Sequence, residues 1–264
     1  VRRAWRLPPG RHRRGPRHHA HDTARAVEHG PADSVLGVYG EYAPDQTRVA
    51  HYWIAAAQLL HEARELNTFI VEKSPEHLVS STADFWDKWI GERDFADLSD
   101  AHASLFRKSL MYMSAHADRD GGIIASVDSA ILQLALDTYA YIWPRDAAFV
   151  SSVFTRAGKP TVAKRFLEFS RGIVQKEGYF MHKYLPDGSL GSSWHPWIKD
   201  GQMQLPIQED ETALVVLCAK SYFEKARDAE FLELLYRSFI ERAANSMTEY
   251  RDPDTKLPNA SYDL

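Results

Sequence analysis

From Thr47 onward, apolar side chains recur at every third or fourth position over most of the chain, a spacing that predicts helices rather than strands. Trp53, Ala56, Leu60, Ala63, Leu66 and Ile70 predict one long amphipathic helix from Thr47 to Lys73. A shorter helix is expected from Thr82 to Ile90, carrying Phe85, Trp86 and Trp89. The next runs from His102 to Ala117 and buries Phe106, Leu110, Met113 and Ala117 on one face. Asp146 to Ala157 forms another, with Gly158 placed to end it in a left-handed conformation. Pro160 suits the first turn of its successor, which reaches Lys176 along the stripe Val162, Phe166, Phe169 and Ile173. Glu211 to Lys225 is apolar nearly all round and so should be buried on most sides. The last helix is expected from Asp228 to Tyr250, with Leu232, Leu235, Phe239, Ala243 and Met247 facing the core.

Three stretches break this rhythm. Asp118-Arg119-Asp120-Gly121-Gly122 is turn material, and Ile123-Ile124-Ala125 after it reads as a short extended piece. Between Gly178 and Gln208 lies a long aromatic loop with the turn Pro186-Asp187-Gly188-Ser189, and loops of that length in compact domains are usually functional. Val1 to Gly30 is crowded with Arg, His, Pro and Gly, cannot bury enough apolar surface to offset its ordering entropy, and is expected to be disordered or non-native. The fold class is therefore all-α.

Composition narrows the function. The net charge of −4 over 264 residues argues against nucleic acid as a partner. A single cysteine, Cys218, excludes an internal disulfide and any cysteine zinc cluster, and its apolar surroundings read as core. No run approaches the roughly 18 apolar residues of a membrane helix, and no apolar stretch follows the N-terminal arginines as in a secretory signal. The expectation is a cytoplasmic protein with no membrane partner, no metal and no cofactor.

Three short segments carry candidate chemistry. In Trp143-Pro144-Arg145-Asp146, the proline presets the start of a helix and places Asp146 near its N-terminus, beside a guanidinium and an indole. Asp146 there suits a helix cap; it equally suits a sugar site, where carboxylate and guanidinium engage hydroxyl pairs and Trp supplies an apolar ring face. Gln208-Glu209-Asp210-Glu211-Thr212-Ala213 puts three acids at the entry to the apolar helix. They either complement the helix dipole or face a cavity and bind hydroxyls. The polar tail Asn259-Ala260-Ser261-Tyr262-Asp263-Leu264 is uninformative by itself.

Taken together, these segments resemble glycoside hydrolase family 15, the glucoamylases with their glucodextranase-like and trehalase-like relatives. Trp143-Pro144-Arg145-Asp146 is similar to the family's Trp-x-Arg-Asp segment, and Gln208 to Ala213 to its Gln-x-Asp-Glu-Thr-Ala stretch. Arg107-Lys108-Ser109-Leu110 with Gly121 to Ser126, and Tyr184 to Ser189 through Trp194 and Trp197, extend the likeness over about Thr47 to Leu264.

The resemblance implies an (α/α)6 toroid, of which this chain would hold roughly the first half, residues 101–264, after a helical linker over residues 35–100 and the basic segment 1–34. It implies an inverting enzyme that releases glucose from the non-reducing ends of α-linked oligosaccharides or disaccharides. Arg145 and Asp146 would bind hydroxyls of the terminal glucose. Gln208, Asp210 and Glu211 would line or support the pocket, with Trp143, Trp194 and Trp197 as stacking or wall residues. Asp263 would sit beside the general acid, which the family pattern puts just past Leu264, so neither catalytic carboxylate would lie within the chain. Exposed inner-helix faces such as Ala213 to Tyr222 would favour self-association. Two alternatives use the same toroid: a carbohydrate-sensing regulatory domain without catalysis, and a sugar epimerase, for which His182 and His195 are available.

Overall fold

The structure, a computed structural model, describes residues 20–22, 36–38, 43–91, 97–127, 139–191, 198–199, 201–203 and 205–259. The chain divides into two compact units, Val1–Phe85 and Trp86–Leu264. Among the described residues it is helical, with two short antiparallel ribbons. No helix among them is long and apolar enough to cross a membrane.

In the first unit, strand β1 (Ala20–Asp22) pairs with β2 (Leu36–Val38), and the rest of the basic segment lies outside the described residues. Helix α1 spans Leu60–Lys73, not the longer run expected from Thr47. It starts where the Leu59 N–H donates to the Glu62 carboxylate at 3.0 Å, so a first-turn side chain satisfies a backbone donor that the helix leaves open. Trp53 shows why the run is not continuous. Its indole N–H donates to the Asn67 side chain at 3.1 Å, whereas in one helix these residues would sit roughly 21 Å apart along the axis. Helix α2 spans Pro75–Ile90 and begins seven residues before the expected Thr82. Pro75 supplies a preset first turn, and Ser81 and Thr82 donate back to the Leu78 carbonyl at 3.1 and 2.7 Å, so these polar residues lie inside the helix.

The second unit is built on α3 (Asp100–Ala115), α4 (Pro144–Arg156), α5 (Pro160–Ile173), α6 (Glu211–Ala226), α7 (Ala229–Leu235) and α8 (Glu241–Glu249). Helix α4 packs most extensively on α6 and next on α5, and α5 packs on both. Small buried residues allow the α4–α6 approach: Ala147, Ala148 and Ser151 on one helix, Cys218 and Ala219 on the other. Phe166, Leu167, Phe180, Leu235 and Phe239 complete the core, each fully buried phenylalanine stabilising by about 1.5–3 kcal/mol. A smaller cluster of Leu110, Phe154 and Ala157 seats α3, with Phe106 and Met113 packed against it. The expected last helix is interrupted by a π turn at Tyr236–Ile240. The turn keeps Leu235, Phe239 and Ala243 in the core, while the Arg171 guanidinium donates to Ser238 at 3.2 Å.

The long loop after Gly178 is folded locally. Ile142 and Tyr184 exchange both backbone hydrogen bonds at 2.8 and 2.9 Å, and Tyr184 also bridges to Leu190 around the Pro186-Asp187-Gly188-Ser189 turn. Asp187 accepts from the Ser189 N–H and hydroxyl, which hold its carboxyl below the usual range. Farther along, β3 (Ile198–Lys199) pairs with β4 (Gln202–Met203).

Cys218 sits at the α4–α6 seam, where burial pushes its thiol up to about 12. A thiol reagent at about pH 8 is expected to leave it unmodified in the folded protein and to label it completely in denaturant. Rapid labelling of native protein would contradict this packing.

Candidate functional site

Two of the three singled-out segments meet at one end of the helical body. Trp143 is extended (φ −92, ψ 121) and Pro144 opens α4, so Arg145 and Asp146 fall in the first turn. Asp210 immediately precedes α6, and Glu211 is that helix's first residue. Because α4 and α6 lie side by side with their N-termini at the same end, Arg145 reaches both carboxylates. Its guanidinium lies 3.5 Å from Asp210 and 3.7 Å from Asp146. These side chains are one third to one half exposed, and ion pairs this wet contribute only about 0–1 kcal/mol to stability. The arrangement therefore does little for folding. It pre-positions a guanidinium between two acids, open to solvent, where all three can meet a polar ligand.

The other expected site residues are dispersed. Trp143 is buried at 5% exposure, and its indole N–H donates to His182 Nε2 at 3.0 Å. Glu211 is wholly buried; its charge adds to a rise in the Tyr184 phenol, to about 12, that burial dominates. Gln208 is half-buried and lines a cavity of about 540 Å³ with Glu209, Tyr179, Ile207, Met247 and Tyr250, among others. Burial raises both tyrosines there, with further contributions from Glu177 on Tyr179 and Glu209 on Tyr250. Asp146 lines a separate hollow of about 350 Å³ beside α3, with Tyr112, His116 and Phe149. Trp194, Trp197, His195 and Asp263 lie outside the described residues. Among the described residues, no group of three His, Cys, Asp or Glu is arranged to hold a metal ion.

Sequence reasoning missed Lys183 and the aromatic nest around it. Lys183 is only 3% exposed, and its ammonium stands 4.5 Å from the ring centre of Tyr141 and 5.6 Å from that of Trp143. Tyr139 stacks on Trp143 at 5.8 Å. The dense run of Tyr139, Tyr141 and Trp143 is visible in the sequence, but nothing in it announces a lysine from forty residues later.

No family profile matches the chain. It is 25% identical over 181 residues to an uncharacterized glycosyl hydrolase of Methanocaldococcus jannaschii, a match covering 67% of this chain and 26% of that protein. This similarity supports a relationship to glycoside hydrolases. The chain spans about a quarter of the length of the curated relative it matches.

Proposed function

We propose that this chain supplies the sugar-binding wall of an inverting α-glucoside hydrolase of the glucoamylase type. The observation that carries the reading is the convergence of Arg145, Asp146 and Asp210 at the paired N-termini of α4 and α6. In this reading Arg145 and Asp146 bind adjacent hydroxyls of a non-reducing terminal glucose, and Asp210 holds Arg145 in place. Glu211 and Gln208 support the wall from below, and Asp263 stands beside the general acid. Residues 101–264 are the first part of an (α/α)6 domain whose acid and base both follow Leu264. Inversion needs the two carboxyls about 6.5–9.5 Å apart, with water between the base and the ring.

The test is glucose release from maltose, isomaltose and trehalose, by this chain and by one extended to the length of the archaeal relative. Activity is expected only in the longer chain, with the non-reducing glucose of maltose or isomaltose released as the β-anomer. Positioned acid and base groups contribute typically about 10²–10⁴-fold each, so their absence is unmistakable. Equal activity in the short chain would place the acid at Glu209, Asp210 or Glu211 and overturn the assignment. An α-configured product from the non-reducing glucose of maltose or isomaltose would overturn inversion, whereas trehalose gives one α- and one β-glucose under inversion.

A further inference from the structure

The two segments that meet at Arg145 are also joined behind it through a single residue. His182 is 6% exposed and lies two residues before Tyr184, which bridges to Ile142 just ahead of α4. Its side chain accepts the Trp143 indole N–H at 3.0 Å, with the rings edge to face at a centroid distance of 6.1 Å. Its backbone N–H donates to the Pro206 carbonyl at 2.7 Å, four residues before Asp210. One residue thus grips the lead-in to Arg145 and Asp146 with its side chain and the lead-in to Asp210 with its backbone.

We propose that His182 is the positioning residue that sets the spacing between the Arg145–Asp146 turn and the Asp210 turn. The indole N–H can only donate, so Nε2 must present a lone pair and the ring must be neutral with its proton on Nδ1. A proton on Nε2 would set two donors against each other in a buried site. The Trp143 carbonyl accepts the Ala147 N–H at 3.0 Å in the first turn of α4, so a shift of the Trp143 backbone would move that turn and Arg145 with it. The consequence for ligand affinity rests on the sugar-site reading above; the consequence for geometry does not.

The experiment compares His182→Leu, which fills space without an acceptor, with His182→Gln, whose amide oxygen can reach the place of Nε2. Nitrogen NMR of the wild-type chain is expected to show His182 with the proton on Nδ1. Backbone amide shifts of both Arg145 and Asp210 should move in His182→Leu and return toward wild type in His182→Gln. Maltose is the binding probe, and its dissociation constant should rise about tenfold in the leucine variant and recover in the glutamine variant. Trp143→Phe, which removes the donor, should make the leucine change nearly silent in the double variant. A proton on Nε2 would overturn the proposal, as would equal amide shifts in the leucine and glutamine variants. If wild-type chain does not bind maltose, the sugar reading fails, and the tautomer and amide shifts still decide the role of His182.

Discussion

Gly121→Ala is expected to destabilise the helical body by about 3 kcal/mol or more, through backbone strain combined with a collision. Gly121 has φ +100, a conformation that L side chains rarely adopt. A methyl there would stand 2.1 Å from the Arg165 carbonyl oxygen and 2.5 Å from its carbon, so the backbone of α5 itself would have to retreat. The turn cannot easily relax. The Asp118 carboxylate accepts from the N–H groups of Asp120 and Gly122 at 2.8 Å, and Ile123 bridges back to Ala117. Gly172→Ala is the internal control: it lies within α5, nothing approaches its added methyl within 4 Å, and the change should stabilise by about 0.5–1 kcal/mol. Urea unfolding of both variants checks the pair. Gly121→Ala within about 0.5 kcal/mol of wild type, the scatter of ordinary surface changes, would show that the turn does not sit on α5 as described.

If the proposed function holds, Arg145→Leu is expected to reduce glucose release by the extended chain about 10²-fold, while changing the folding free energy by less than about 1 kcal/mol. The asymmetry follows from where the guanidinium sits. Its pairs with Asp146 and Asp210 are half-exposed, so their contribution to folding is small. Under the proposed function, removing the guanidinium also takes away the charged hydrogen bonds to substrate hydroxyls. Arg145→Lys should recover only part of the activity, because an ammonium cannot offer the planar fork that spans two acceptors. Loss of activity in proportion to loss of folded protein would instead make Arg145 a structural residue.

Helices α3 to α6 were legible in the sequence to within three residues, because each carries apolar positions at helical spacing and is bounded by a turn glycine, a proline or an acidic entry. The same spacing failed over Thr47 to Leu59, where apolar residues recur as in a helix but Trp53 reaches Asn67 of the helix that follows. Periodicity reports which residues seek burial, not which piece of chain provides it. The π turn at Tyr236–Ile240 was invisible for a related reason: one extra residue per turn leaves a four-residue core spacing intact.

The candidate site divides in the same way. Trp143-Pro144-Arg145-Asp146 and Gln208 to Glu211 stand out in the sequence because proline and clustered acids at helix entries have local consequences: they preset a first turn and complement a helix dipole. The residue types, and the positions of Arg145, Asp146 and Glu211 in first turns with Asp210 just before one, were therefore fixed locally. That Arg145 would lie 3.5 Å from Asp210 was not, since it depends on α4 and α6 packing side by side through alanines, Ser151 and Cys218. Tertiary packing alone also decided that Trp143 turns inward to His182, that Glu211 is buried while Asp146 remains half-exposed, and that Lys183 rests over two aromatic rings. Local sequence sets backbone conformation through steric and hydrogen-bonding rules that act over a few residues; the direction a side chain faces is settled by partners tens of residues away.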